Sequence, residues 1–484
     1  MTMNKTDRRH FLEMLAAVAG SAAAGCRSGI FGSGVTGAPM QGFAAPPIPR
    51  LRVGVVGLGG RGNGAIYRLI RIPGVEVTAV CDAVGARVDE RVAWFRDAGY
   101  PVPRGYAGPE AYKAMCESDI DVVYNTTSWN MHVPIALYAM EHGKHAMVEV
   151  PSAFTVEGCW ALVETAERTR RHCMQLENCC YGEMEMLMLN LCRKGMLGEI
   201  VHGEGGYIHD LRNLYTRVKK DTAAEGLADG PNRDLWRLRF NSEHKGDQYP
   251  THGLGPICNC MNINRGDRLD YLVSLESDQF NFEAYAKANY PADSWRANLK
   301  VAMGDVNMTL VRTACGRSIF IKHDISCPQP YTRLNVINGT KGVFMDFPYR
   351  VGWEDRSGSQ VRRFFDETRA AEVRETYKHP LWKQIGEHGV KVGGHGGMDF
   401  IMDLRWCYCL QNGLPLDMDV YDLASWCALG ELTERSVRNR SSSESIPDFT
   451  RGAWKIRRDY DIGTLDLSKL DFTQTVAARR KTGA

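Results

Sequence analysis

The chain has 484 residues, with 59 Lys+Arg against 57 Asp+Glu for a formal charge of +2, and is 44% hydrophobic and 24% charged. This ordinary globular composition excludes a disordered, collagen-like or polytopic membrane protein, and the near-neutral balance leaves no electrostatic footprint for nucleic acid. The length exceeds what one typical hydrophobic core organises, so two domains are expected.

Residues 1–26 read as an address. Arg8-Arg9 followed by His10, Phe11 and Leu12 resembles the twin-arginine export motif, and the Ala- and Gly-rich run 14–24 behind it is too short and too weakly apolar for a stable span. Ala23-Ala24-Gly25-Cys26 resembles a bacterial lipobox, whose cysteine becomes a lipidated first residue; the alternative is a plain peptidase site at the same Ala cluster. Membrane contact is expected only through such a lipid. Residues 27–50, rich in Gly, Pro, Ala and Ser without periodicity, read as a flexible tether. The twin-arginine route, as that resemblance implies, carries folded proteins to the periplasm or cell surface, which directs attention to a cofactor loaded in the cytoplasm.

Residues 51–56 (LRVGVV) form an apolar, β-branched run that predicts a buried parallel strand. Gly57-Leu58-Gly59-Gly60-Arg61-Gly62 follows, a G-x-G-x-x-G, and then a helix is predicted over 65–71. Such glycines allow a tight turn and close approach of a pyrophosphate to a helix N-terminus, with Gly60 and Arg61 in the phosphate loop. A second strand over 75–82 ends in Asp82, 82 − 57 = 25 residues past the first glycine, near the spacing of a carboxylate on the adenosine ribose. A carboxylate there repels a 2′-phosphate and favours NAD over NADP; the competing reading is an ordinary cap of the next helix. Strands over 121–127 and 145–150 with a helix over 133–142 complete a βαβ series, a Rossmann domain over 51–178.

Further on, a helix is predicted over 181–194 and strands over 200–208, 271–277, 297–311 and 318–323. They suit one large, open-faced, mostly antiparallel sheet in a C-terminal α+β domain over 179–440. Residues 212–247 read as a long loop over the site, 354–392 as a lid or partner-facing extension, and 441–484 as a C-terminal wrap. Of 15 cysteines, Cys179-Cys180, Cys258-x-Cys260 and Cys407-x-Cys409 are paired in sequence, but none has the C-x₂-C spacing of structural zinc, so no metal is expected.

The order of landmarks resembles the Gfo/Idh/MocA oxidoreductase family, whose signpost here is Glu149-Val150-Pro151. Ordinary family dehydrogenases carry Glu-Lys-Pro at that point, and valine has no proton to give or take. Glu177-Asn178-Cys179-Cys180-Tyr181-Gly182, Gly206-Tyr207-Ile208-His209-Asp210, the segment Tyr249-Pro250-Thr251-His252-Gly253-Leu254-Gly255-Pro256 and Gly393-Gly394-His395-Gly396-Gly397-Met398-Asp399 follow in order. Together they resemble glycoside hydrolase family 109, the NAD-dependent α-N-acetylgalactosaminidases, from about residue 50 to the C-terminus.

That resemblance implies a redox-neutral cycle on a glycan ending in N-acetylgalactosamine. Tightly held NAD removes hydride from C3, a base takes the acidified C2 proton, the C1 substituent leaves, water adds and hydride returns. The implied cofactor residues are Gly60, Arg61, Asp82, Trp129, Asn130, Met131, His132, Glu149, Val150, Asn178 and Tyr249. The implied sugar contacts are Tyr207, Arg237, Tyr249, Pro250, Thr251, His252 and Tyr331. His252 is the favoured acid/base, with Tyr181 a second proton carrier if a neighbour lowers its pKa. His395 reads as a turn residue before a helix, with a catalytic role as the lesser alternative. A homodimer across the open sheet face is a further implication. The competing readings are a sugar dehydrogenase with dissociable NAD, which Val150 disfavours, and a non-catalytic binding protein.

Overall fold

The structure, a computed structural model, describes residues 37–216, 236–356, 358–458 and 460–479. The export signal, Cys26, the start of the tether and the middle of the 212–247 loop lie outside these residues. The parallel strands are β1 (Leu51–Val56), β2 (Val75–Asp82), β3 (Arg104–Ala107), β4 (Val122–Asn125), β5 (His145–Val148) and β6 (Cys173–Gln175), of which β3 and β6 were not predicted. Their order is β3-β2-β1-β4-β5-β6, with every pair parallel. This is the 3-2-1-4-5-6 order of dinucleotide-binding sheets, in which ligands bind beyond the carboxyl ends where the order reverses between β1 and β4. The crossovers are α1 (Gly60–Leu69), α2 (Gly85–Asp97), α3 (Ala111–Cys116), α4 (His132–Glu141) and α5 (Val156–Thr169). They cover both faces, which is why β1 and β4 are apolar almost throughout.

After α6 (Glu183–Arg193) the chain builds a second sheet. Its strands are β7 (Ile200–Ile208), β8 (Leu269–Glu276), β9 (Asn307–Thr313), β10 (Ser318–Asp324), β11 (Val336–Gly339), β12 (Gly342–Met345), β13 (Arg350–Trp353) and β14 (Glu444–Ser445). The order is β13-β12-β11-β7-β10-β9-β8-β14, and only β7 and β10 run parallel. Helices α7 (Arg212–Thr216), α8 (Trp236–Glu243), α9 (Thr251–Cys260) and α10 (Asn281–Asn289) lie among these strands in sequence. Then come α11 (Glu367–Tyr377), α12 (Pro380–Val392), α13 (Met398–Asn412) and α14 (Val420–Arg438). Helix α9 lies on β7 so closely that a Cβ on Gly253 would meet the Gly206 nitrogen at 2.2 Å. This fixes the register of His252 at the start of α9. The outer sheet face stays open: Leu275 and Leu310 are more than half exposed.

Three expectations are corrected. The strand expected over 297–311 begins only at Asn307, because Leu299, Val301 and Met303 leave the sheet for a small core with Leu211, Tyr215 and Phe282. In the segment 354–392, expected as a lid or partner-facing extension, residues 380–392 are a packed helix: α12 buries Leu381, Trp382 and Ile385. The last part of the expected tether is docked. Met40 and Ala45 are buried, the Met40 N–H donates to the Tyr421 hydroxyl at 3.0 Å, and the Ile48 N–H donates to the Leu410 carbonyl at 2.9 Å. The tail supplies β14 to the sheet edge and buries Phe449, Tyr460 and Ile462.

Candidate functional site

The Gly-rich loop leaves β1 at Gly57, whose φ of +92° and contact with the Thr126 backbone leave no room for a side chain. A Cβ on Gly62 would meet the Gly57 carbonyl at 1.9 Å, so α1 can pack on the strand only through glycine. Gly59 and Gly60 are the opposite case, with nothing within 4 Å of where a Cβ would stand. Helix α1 begins there without a side-chain cap. Open space over uncapped helix N–H groups is a cradle for a pyrophosphate. Asp82, buried at the end of β2, accepts from the Leu58 N–H at 2.7 Å and the Val84 N–H at 2.8 Å, so it braces the loop and the turn into α2. These residues fit a dinucleotide. The carboxylate also stands where the Rossmann sheet places the adenosine ribose.

Glu149, at the exit of β5, accepts from Arg61 Nη2 at 2.5 Å and Nε at 3.0 Å. Arg61 also donates to Asp399 at 3.0 Å, and Asn178 donates to the other oxygen of Asp399 at 2.5 Å. The Arg61 guanidinium is therefore turned toward carboxylates rather than left free for a phosphate. Burial acts to raise the Asp399 carboxyl, but the His395 hydrogen bond and the Arg61 and Arg68 charges hold it well below the usual carboxylate value. His395, largely exposed, donates to Asp399 at 2.9 Å and has a φ of +45° between glycines, in keeping with a turn residue.

After β4, Trp129 is buried and donates from Nε1 to the Val150 carbonyl at 3.3 Å. Asn130 is exposed and Met131 packs on the apolar cluster beneath α4. The His132 ring is buried with its nitrogens 2.8 Å from the Pro151 carbonyl and 3.1 Å from the Thr127 carbonyl. Burial lowers its pKa. Its side chain ties the loops after β4 and β5 together.

Around Trp129 gathers an aromatic wall. Tyr249 lies 5.9 Å from it between ring centroids, Tyr207 stacks on Tyr249 at 4.6 Å, and Trp129, Val150 and Tyr249 form one apolar cluster. Over this wall sits Arg237, 4.8 Å from the Trp129 ring and 5.3 Å from Tyr249, donating to the Tyr215 hydroxyl at 3.1 Å. His252 meets Tyr249 edge-on at 4.8 Å and Tyr207 at 5.2 Å. Tyr331, more exposed, stands 6.5 Å from Tyr207 and accepts from Arg333 at 2.9 Å. Pro250 and Thr251 are buried at the start of α9, Thr251 beside Glu177, so they position the neighbouring rings.

His252 Nδ1 lies 2.6 Å from Glu177 Oε1, and Glu177 has no exposure. A carboxylate only accepts, so Nδ1 carries a proton, and in the neutral ring the lone pair is on Nε2. Burial pushes the Glu177 carboxyl up, yet attraction to His252 and its hydrogen bond bring it below the ordinary value. The geometry is that of an imidazole oriented by a buried carboxylate. Glu177 belongs to the same E-N-C-C-Y motif as Asn178, but sequence reasoning gave it no role; a carboxylate next to a ligand-facing strand end was the available signal. Asp399 was missed similarly, behind its Gly-rich loop.

Tyr181 is a correction. It is fully buried, its hydroxyl donates to Asp417 at 3.0 Å, and burial together with Asp417 drives its pKa well above the ordinary phenol value. A phenol so placed does not carry protons to the cleft. Glu177, Cys179 and His252 also bring their ligand-type atoms within 4.8 Å of one another, a grouping unsuspected from cysteine spacing. Burial holds the Cys179 thiol protonated and His252 Nδ1 is spent on Glu177, so this donor set suits proton transfer better than a metal.

The chain is similar to known proteins over nearly its whole length. Residues 51–176 match the NAD-binding Rossmann fold of the oxidoreductase family Gfo/Idh/MocA, and residues 181–456 match the C-terminal domain of glycosyl hydrolase 109. An α-N-acetylgalactosaminidase of Bacteroides fragilis is 46% identical over 418 residues, covering 86% of this chain and 96% of that protein. An α-N-acetylgalactosaminidase of Shewanella oneidensis is 43% identical over 462 residues, covering 94% and 98%. Among solved structures, a levoglucosan dehydrogenase in complex with NADH and L-sorbose superposes with a TM-score of 0.59 at 17% identity, covering 83% of this chain and all of that one. An oxidoreductase domain protein from Kribbella flavida does so with a TM-score of 0.61 at 15% identity over 83% of this chain. These last two likenesses carry the fold alone. With its nicotinamide-dinucleotide Rossmann half and its matching C-terminal domain, the chain belongs to glycosyl hydrolase family 109.

Proposed function

We propose that the protein hydrolyses terminal α-N-acetylgalactosamine from glycans with a resident NAD. The observation that carries this reading is the Glu177–His252 dyad, set against the Tyr207, Tyr249, Trp129 and Arg237 wall where the dinucleotide-binding sheet ends. The close relatives named for that activity support the substrate. The uncapped start of α1, Asp82 and the Glu149–Asn178 edge would hold the dinucleotide. NAD bound there would accept hydride from the sugar and return it, leaving no net redox change. His252 Nε2 takes the proton from the carbon next to the oxidised one, and the carboxylate of Glu177 stabilises the imidazolium that results. Tyr207 and Tyr249 give the sugar ring an apolar face, and the fork of Arg237 fixes its hydroxyl and acetamido oxygens. Val150 stands where a proton-carrying lysine would serve an alcohol dehydrogenase, and it supplies packing instead.

Export through the twin-arginine route, with lipid attachment at Cys26, belongs to the same reading, because a cofactor that never leaves can be loaded before export. It rests on Arg8-Arg9 and the Ala-Ala-Gly-Cys26 sequence. Pairing of two copies across the open sheet face is the expected assembly.

The test is an assay of freshly purified holoprotein on p-nitrophenyl α-N-acetylgalactosaminide with no NAD added. The proposal expects nitrophenol release without accumulation of absorbance at 340 nm. Silence toward this substrate, with stoichiometric NADH formed from a free sugar, would instead make the protein a dehydrogenase.

A further inference from the structure

We propose that Asp399 is a positioning residue for the cofactor cleft, fastening Arg61 and Asn178 so that the dinucleotide is retained. The inference rests on the NAD reading above. Asp399 is the second residue of α13, and its side chain is 1% exposed. One oxygen accepts from Asn178 at 2.5 Å; the other accepts from Arg61 at 3.0 Å and His395 at 2.9 Å, with Arg68 at 3.5 Å. Arg61 in turn holds Glu149. The Gly-rich loop after β1, the exit of β5 and the exit of β6 are thereby tied to one carboxylate donated by a helix 338 residues from Arg61. All three are segments that border the cofactor edge of the sheet.

A buried carboxylate facing two guanidinium groups has no low-cost alternative arrangement. Neutralising it leaves Arg61 short of a partner and frees the first turn of α1, whose N–H groups form the phosphate cradle. Asn178 is released at the same time. Asp399 reaches none of the open space above Gly59 and Gly60 itself, so its effect is on retention rather than on chemistry. A lasting grip is what an exported enzyme with a redox-neutral cycle requires, since no nicotinamide pool awaits it outside.

The decisive measurement counts NAD released by heat from Asp399→Asn and wild-type protein after gel filtration, with rebinding by the apo forms followed calorimetrically. The variant is expected to shed its cofactor on the column and to rebind it about tenfold more weakly or worse, as for loss of one charged hydrogen bond. Its apo form is expected to melt below the wild-type apo form as well, so rebinding is compared at a temperature where both are folded. An Asp399→Asn protein that keeps NAD as firmly as wild type overturns the inference. Should that variant not fold, Arg61→Met, at a partly buried position of the same cluster, replaces it: weakened NAD binding supports the inference and unchanged binding overturns it. Wild-type protein that neither carries nor binds NAD defeats the cofactor reading itself, a result distinguishable from equal binding by wild type and variants.

Discussion

At the scale of single residues, the site depends on carboxylates taken out of water. Glu177 has its anion stabilised by His252, so its folded-state pKa lies below its unfolded value. Its contribution is therefore present above the ordinary carboxylate range near pH 4 and is lost as pH falls below it. Glu177→Gln keeps the shape and an acceptor oxygen but removes the charge that stabilises the imidazolium. We expect kcat to fall about 100-fold or more with NAD content unchanged, measured by steady-state hydrolysis and heat-released cofactor. A variant of undiminished kcat would remove Glu177 from the dyad. Asp247 behaves with the opposite sign. Burial pushes its carboxyl up to about 7, only partly offset by the Tyr249 N–H that donates to it at 2.9 Å. A raised acid favours the fold below its unfolded pKa, and this advantage fades as pH rises toward 7. Asp247→Asn should thus flatten the decline in melting temperature between about pH 4 and pH 7, by up to about 4 kcal/mol of pH-dependent stability. Parallel wild-type and variant melting curves across that range would refute this.

At the scale of elements, the sequence was readable where one pattern governed and opaque where two competed. β7 was located to the residue, and the Rossmann loop was legible because glycine alone permits Gly57 and Gly62. Asp82 could be placed by spacing, whereas the Glu177–His252 contact joins residues 75 positions apart and no local pattern encodes it. Helix α14 escaped notice since it is buried nearly all round, from Tyr421 through Trp426 to Leu432, and so shows no amphipathic stripe. The segment before β1 misled for a different reason. Its Gly-Pro composition is that of a linker, but Met40 and Phe43 are enough to anchor it, Phe43 beneath the Arg170 guanidinium at 4.2 Å. Met40→Ala should lower stability by about 2–3 kcal/mol, the usual cost of truncating a buried methionine. Denaturant midpoints identical to wild type would return residues 37–50 to the status of a free tether.

At the scale of the whole molecule, one sheet face remains to be explained. The inner face of the second sheet is covered by α9 and α14, while the outer face carries Tyr271, Leu275, Met308 and Leu310 in the open. The antiparallel register sets Leu275 opposite Met308, and Leu310 opposite Val273 and Phe320, so these side chains form one continuous apolar stripe rather than scattered exposures. Contiguous apolar surface of this kind can mark an interface, and the proposed pairing would supply a self-complementary partner through a twofold axis. Because each face would enter such a contact twice, one charge introduced there is counted twice. Leu310→Asp removes two buried leucines from the pair, about 2 kcal/mol each, and adds two desolvated carboxylates facing the same axis. Light scattering should find wild type at twice the chain mass and Leu310→Asp at the mass of one chain. Since the cleft is built from α9, the wall around Trp129 and the Rossmann edge, the single-chain variant should keep its NAD and its hydrolytic rate. Wild-type protein that stays monomeric at every concentration would end the pairing argument and leave the stripe to a different partner.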